Sequence, residues 1–485
     1  MKKGEMDMDS VLGGQRIPGR EKWMYGIAGL GQNIIYIVVG SFLMFFLTDV
    51  YGIDPMATGT MMMIARIWDA LNDPLMGIVA DRTRTRWGKL RPWILWSLAP
   101  MCLFTVLLFL GPEFGTPALK LAWCYAAYFF WDIAYTMSDI PYWGLSAAMT
   151  TDSRERTKLL TMTRILTMVG MAVAIVGIPL LIGALGGATT PEEAARISHA
   201  QNKAAYTSMA VICAVAGCAL FCLAFFGTKE RAEHSEERIT LRRSLSTIAM
   251  NTPLLLILLA SLLSFGRQMS GAAGMYVSMW NFRSTDYYAI LGGVSMLGTI
   301  LAIAVTPLFL RRMGKKSLFI GSALAGAAIN VGLYFLGVAM TGGTMVMRRP
   351  SDIWLCISCL FAASISMGFF TILQTTMIAD SVDYLEWKTG VRAEALCFSG
   401  QTFMTKVVNA ICTFVFGIVL STTGYLPAGA AGQPHEALVG IFQSATLWPA
   451  LGCILSAIPI FWYKLDEKSL RRYESEIEAR RAVGA

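Results

Sequence analysis

Histidine is nearly absent from this chain. His199, His234 and His435 are the only three in 485 residues, and each falls in a connection between apolar runs. That distribution argues against a membrane-embedded imidazole relay and against a histidine-ligated metal centre. Charge is sparse as well, at 15% Asp, Glu, Lys and Arg, against about 25% in an ordinary soluble domain. Ten cysteines are present, but those such as Cys102, Cys213, Cys356 and Cys453 lie inside apolar runs. None stands at a spacing that frames a loop disulfide or a zinc site, so they read as small core hydrophobes. A cleavable signal pattern is also missing: the polar stretch from Met1 to Lys22 precedes a first apolar span too long for a signal h-region.

What the chain has instead is hydrophobicity, 55% of all residues with a mean hydropathy of +0.54. A solvated surface cannot be built from that composition, which predicts an all-α polytopic membrane protein. Twelve apolar runs of roughly 20 residues or more are each long enough to cross about 30 Å of hydrocarbon as a helix. They fall near residues 23–49, 56–80, 92–111, 118–149, 159–186, 204–227, 252–280, 288–310, 317–341, 353–380, 397–424 and 440–463.

The net charge of +8 suggests a bilayer, with no nucleic-acid partner, because of where the cations stand. Lys2, Lys3, Arg16, Arg20 and Lys22 precede span 1, Arg82 to Arg91 follow span 2, and Arg154, Arg156 and Lys158 follow span 4. Lys229 to Arg243 follow span 6, Arg311 to Lys316 follow span 8, and Arg471 to Arg481 close the chain. Alternate connections are therefore basic, which predicts a multi-pass inner-membrane protein with both termini in the cytoplasm. Arg348 and Arg349 are the exception on the opposite side.

The longest charged connection divides the chain into an N-terminal six-helix bundle over 1–227, a middle loop over 228–247, a C-terminal six-helix bundle over 248–463 and a tail over 464–485. That is the layout of a transporter built from repeats. Trp87-Gly88-Lys89 after span 2 and Met313-Gly314-Lys315 after span 8 hold equivalent places in the two halves.

An ionisable residue at mid-membrane costs roughly 2.5–3.5 kcal/mol on insertion scales, so each needs a use. The candidates are Arg66, Asp69 and Asp73 in span 2, Asp132 and Asp139 in span 4, Arg164 in span 5, Arg267 in span 7 and Lys406 in span 11. Asp69 and Asp73 stand four residues apart on one helix face. At about 6 Å such a pair repels by roughly 3 kcal/mol at an effective dielectric near 20, which protonation or a bound cation relieves. Arg66, on the same face, offsets one carboxylate but not both. Thr136, Asp139 and Trp143 form one stripe of hydroxyl, carboxylate and indole, which suits a sugar: the carboxylate accepts from hydroxyls and the indole gives a pyranose a flat face. Arg164 and Lys406 serve as further donors or as counter-ions. Arg267 has either role and, as a guanidinium, suits an acidic sugar.

These segments carry a resemblance. Ala65 to Leu95, Ala134-Tyr135-Thr136-Met137-Ser138-Asp139-Ile140-Pro141-Tyr142-Trp143, Asp152 to Arg156, and Asp380 to Lys406 together resemble the glycoside–pentoside–hexuronide:cation symporters, the branch of the major facilitator superfamily that contains the melibiose permeases. The resemblance runs in order along nearly the whole chain. It implies two six-helix bundles, no enzymatic activity and no resident cofactor. It also implies a cation site at Asp69, Asn72, Asp73 and Thr136, whose oxygen set favours sodium (or lithium) over obligate proton coupling. Asp139, Trp143, Arg164 and Lys406 then match residues that bind the sugar or link it to the cation, with Tyr135 and Thr402 lining the same cavity. One departure stands out: the family's first-span aspartate is Asn33 here, next to Gln32. Asp132, one turn before Thr136, is the candidate to replace that carboxylate or to modify the cation site.

The sequence thus predicts a monomeric secondary transporter that couples inward sodium movement to uptake of a glycoside. Asp81, Arg82, Arg86 and Lys89 are expected to act as a gate at the end of span 2, or as a topology anchor. Three other readings stay open at this point: a proton-coupled sugar or hexuronide symporter of the same family, a membrane enzyme, for which no triad or metal constellation is present, and a receptor without transport.

Overall fold

The computed structural model describes residues 17–150, 152–231, 250–390, 394–426, 432–465 and 467–483. Twelve long helices account for the twelve apolar runs. They are α1 Gly19–Val50, α2 Pro55–Arg82, α3 Arg91–Leu110, α4 Pro117–Met149, α5 Ser153–Ala184 and α6 His199–Gly227. The series continues with α7 Thr252–Asn281, α8 Asp286–Leu310, α9 Lys315–Thr341, α10 Pro350–Thr389, α11 Glu394–Thr422 and α12 His435–Ile460, followed by a tail helix, α13 Glu467–Val483. The one β feature among the described residues is an isolated bridge between Thr85 and Gly88.

Ten of the twelve are apolar enough to cross a membrane on length and hydropathy. The other two, α2 and α4, are equally long but carry Arg66, Asp69 and Asp73, and Asp132 and Asp139, respectively. The helices that weaken the hydropathy signal are those that hold the candidate site. All ten cysteines are free thiols, as their apolar setting predicts.

The chain forms two compact units. The first comprises Met1–Leu43, Trp68–Gly186 and Lys203–Glu237, and the second Met44–Ile67, Gly187–Asn202 and Arg238–Ala485. In the first, α1 packs along α5 and α3 along α4. Tyr25 and Tyr142 tie α1 to α4 reciprocally: each hydroxyl donates to the other's backbone carbonyl, at 2.7 and 2.8 Å, and the rings stack at 4.5 Å. At Gly31 a Cβ would lie 2.6 Å from the Gly217 carbonyl oxygen, so the close crossing of α1 and α6 depends on small residues.

In the second unit α10 packs against α8 and α9, and α7 against α11 and α12. The core there is apolar, with Leu254, Ile257, Phe319, Leu373, Met377 and Leu385 all buried. The helix α10 runs to Thr389, past the expected end near residue 380, because α13 covers its last turns. The Trp387 ring packs against Tyr473 at 4.3 Å, tilted by 33°, and its indole donates to Glu476 at 2.6 Å. Lys315 at the start of α9 reaches both oxygens of Asp380, at 2.8 and 2.6 Å.

Candidate cation and sugar sites

In the first unit the candidate cation ligands come from α2 and α4. Asp69 is buried at 6% exposure and Thr136 at 1%, and the Thr136 hydroxyl donates to Asp69 Oδ1 at 3.3 Å. Asn72 and Asp73 are partly buried on the following turn of α2. Among the described residues no three His, Cys, Asp or Glu side chains gather into a metal centre. The chemistry on offer is two carboxylates, an amide and a hydroxyl. This donor set suits a hard monovalent ion.

One turn further along α4, Asp139 organises a second cluster. Its Oδ1 accepts from Trp143 Nε1 at 3.0 Å and from Gln32 Nε2 at 3.1 Å. Gln32 Nε2 also reaches Ser138 Oγ at 3.3 Å. Arg164 on α5 is exposed and lies over the Trp143 ring at 4.5 Å, so the indole already has a cation on its face. Thr136, Asp139 and Trp143 therefore share one stripe, with Gln32 and Arg164 brought to it from α1 and α5. Tyr135 stacks on Trp131 at 5.2 Å and faces Tyr36 at 5.6 Å.

The amide that meets Asp139 is Gln32 rather than Asn33. Asn33 Nδ2 donates back to the Gly29 carbonyl of its own helix at 2.9 Å. Gln32 is 1% exposed, and its Oε1 has no hydrogen-bond partner. Adjacent helix residues diverge by about 100° around the axis, so only the packing of α1 on α4 decides which amide faces the stripe. Asp132 is buried at 2% exposure on the same helix.

The remaining candidates belong to the second unit. Thr402 is exposed and donates to the Phe398 carbonyl at 3.3 Å, and Lys406, one turn on, is partly buried. Arg267 is 6% exposed, lies over the Phe370 ring at 4.6 Å and makes a long contact to the Ser366 carbonyl at 3.5 Å. Its surroundings are thus the helix-packing side chains of α10.

At the expected gate, Arg82 and Arg86 are exposed, Arg86 lies over the Trp87 ring at 4.7 Å, and Lys89 is partly buried. The side chain of Asp81 lies outside the described residues. A partner that composition did not reveal is Glu230, whose carboxylate accepts from the backbone N–H of Lys89, Leu90 and Arg91 at 2.8, 2.9 and 2.9 Å. It caps the N-terminus of α3, where an anion is favoured. Arg231 beside it forms a two-pronged pair with Glu21 at 2.9 and 2.5 Å, and Lys22 pairs with Glu155 at 2.5 Å. These contacts pull in the Glu21 carboxylate and hold the Arg231 guanidinium protonated above its ordinary range.

Comparison with known proteins places these features in a common setting. Residues 24–467 match the family described as MFS/sugar transport protein. The isoprimeverose transporter of Lactiplantibacillus pentosus is 30% identical over 94% of this chain and 91% of its own length. The glucuronide carrier protein homolog of Escherichia coli strain K12 is 28% identical over 95% of each chain. The putative sulfoquinovose importer of Salmonella typhimurium strain LT2 is 28% identical over 96% of this chain and 94% of its own. Among solved structures, the nucleoside transporter NupG superposes with a TM-score of 0.59 over 92% of this chain and all of its own, at 16% identity.

Proposed function

This chain belongs to the glycoside–pentoside–hexuronide:cation symporter type of the major facilitator superfamily, and from that premise we propose that it couples sodium (or lithium) influx to uptake of a glycoside. It is a multi-pass membrane transporter and not an enzyme. The observation that carries the proposal is the continuity of two sites on α4: Thr136 bonded to Asp69, and one turn later Asp139 bonded to Trp143 and Gln32.

The mechanism follows from charge. A cation bound at Asp69, Asn72, Asp73 and Thr136 relieves the carboxylate repulsion and fixes the Thr136 end of the stripe. Asp139 then accepts from sugar hydroxyls, and Trp143 offers its face where Arg164 now lies. Such coupling is reciprocal, so sugar tightens cation binding by the same factor. One monovalent ion moving down about 100 mV supplies roughly 2.3 kcal/mol, about 50-fold accumulation before any chemical gradient. The basic connections support an inner-membrane topology with both termini cytoplasmic.

A proton-coupled reading keeps the same geometry, with Asp69 or Asp73 carrying the proton. An acidic substrate has a specific observation in its favour: Arg164 is exposed over the ring of Trp143, which bonds Asp139, and relatives include a glucuronide carrier protein homolog and a putative sulfoquinovose importer. Counterflow in proteoliposomes, across neutral and acidic glycosides with and without sodium, separates these readings. Sodium-stimulated exchange of a glycoside is the expected result. Full exchange in sodium-free buffer overturns the cation assignment, and no exchange of any glycoside overturns the substrate class.

A further inference from the structure

Asp49, near the end of α1 remote from the N-terminus, is absent from the mid-membrane carboxylates that the sequence singles out, yet three neutral donors surround it. Its Oδ1 accepts from Trp280 Nε1 at 3.2 Å and from the Tyr425 hydroxyl, and its Oδ2 accepts from Thr48 at 2.7 Å. Trp280 Nε1 also lies 2.8 Å from the Tyr425 oxygen, and Thr48 is 2.8 Å from the Tyr276 hydroxyl. No lysine, arginine or histidine among the described residues bonds to it. The titratable groups that face it are Tyr425, from the segment after α11, and Tyr276 of α7 through Thr48. The charged pair Arg283–Glu192 stands beyond the end of α7 and is satisfied within itself.

The backbone around this cage is repeated. The end of α1, Phe46–Val50, and the end of α7, Val277–Asn281, are both wound as π-turns. Tyr51 N bonds Phe46 O and Ile53 N bonds Leu47 O, at 2.8 and 2.7 Å. Phe282 N bonds Val277 O and Ser284 N bonds Ser278 O, at 2.9 and 3.0 Å. Asp49 and Trp280 hold the same position in the two turns, and they bond to each other. Wide turns of this kind are rare and concentrate where a helix must yield.

We propose that Asp49 is a proton-binding site, distinct from Asp69 and Asp73, and that a proton taken from water releases the end of α1 from α7 and from the segment after α11. The cage supplies donors: Trp280 has no acceptor atom, the Tyr425 hydroxyl donates to the carboxylate, and Thr48 lies closer to Asp49 Oδ2 than to the Met44 and Phe45 carbonyls it also reaches. These bonds favour the charged carboxylate, because bonds to a charged acceptor are about twice as strong as neutral ones, while its burial away from water opposes the charge. Protonation weakens the charge-assisted bonds from Tyr425 and Thr48 and the indole contact that Trp280 shares with Tyr425, and it adds a hydrogen that the indole cannot accept. Bound proton and closed cage are thus antagonistic, whichever solute the protein carries.

Hydrogen–deuterium exchange on the purified full-length protein in lipid nanodiscs tests this without substrate. Exchange in peptides covering the end of α7 and residues 423–426 is followed from pH 5 to pH 8 and corrected for intrinsic rates. The wild type is expected to open as the pH falls, with exchange rising roughly tenfold. Asp49→Asn is expected to sit at the open level throughout, with no pH dependence. Tyr425→Phe removes one donor to the anion and is expected to move the midpoint to higher pH. A flat wild-type profile, or an Asp49→Asn profile with the wild-type slope, overturns the proposal. If Asp49→Asn does not fold, the Tyr425→Phe profile decides, and an unmoved midpoint overturns it.

Discussion

Gln32 donates its amide to the carboxylate of Asp139 at 3.1 Å, which makes the first helix a hydrogen-bond partner of the central acidic residue. Its oxygen is buried and without a partner, a state that costs free energy until a donor arrives. A sugar hydroxyl is such a donor. Gln32→Ala is therefore expected to weaken substrate binding by about tenfold, the value of one such bond. Asn33→Ala, which loses only a bond to the carbonyl of its own helix, is expected to stay within about twofold. Titration calorimetry on the purified variants checks both. Equal losses at the two positions would return the role to Asn33.

The cation site predicts a different split. Thr136→Val keeps the volume but removes the hydroxyl that bonds Asp69. The sodium concentration for half-maximal transport should then rise by about tenfold, with substrate affinity at saturating sodium little changed. Lithium should follow sodium. If transport has no sodium dependence in the wild type, and Thr136→Val only shifts its pH profile, the coupling ion is the proton.

Much of this arrangement is legible in the sequence alone. Helix length is set by the bilayer, so the twelve runs stood out even in α2 and α4, where charges depress the hydropathy. The periodicity of α4 alone put Thr136, Asp139 and Trp143 on one stripe. What sequence could not resolve were contacts that depend on how helices are rotated against each other. Gln32 and Asn33 are neighbours with the same functional group, and only packing on α4 separates them. The tenth apolar run stops near residue 380, where Asp380, Asp383 and Glu386 bring charge, although the helix goes on to Thr389. Its last turns are helical because Lys315 pairs with Asp380 and α13 lies over Trp387. Asp49 does not stand out in the sequence, because a carboxylate at the end of a span resembles an ordinary helix terminus.

The Lys315–Asp380 pair is partly buried, with side-chain exposures of 24% and 14%, so water screens it less than a surface pair. A double-mutant cycle of Lys315→Met and Asp380→Asn is expected to give a coupling of about 1–2 kcal/mol in thermal unfolding, above the usual surface value. The exchange Lys315→Asp with Asp380→Lys should recover part of the loss. A coupling near zero would mean that the ends of α9 and α10 are held by apolar packing alone.

Gly88 and Glu230 make the sharpest structural prediction. Gly88 has φ +111°, and a Cβ there would lie 2.5 Å from the Glu230 carboxylate. Gly88→Ala is thus penalised twice, by a backbone conformation that costs about 1–3 kcal/mol for a side-chain-bearing residue and by eviction of the cap on three N–H groups of α3. Glu230→Gln leaves the backbone alone and keeps one acceptor oxygen, so it should cost less, about 1–2 kcal/mol. Combining the two separates the causes. Once Glu230→Ala has emptied the seat, adding Gly88→Ala should cost only the backbone term, so the double variant should be more stable than the sum of the single losses. Melting of the purified proteins measures all four states. Strict additivity would mean that the carboxylate and the glycine do not share a seat, and that the connection after α2 is held by its basic side chains instead.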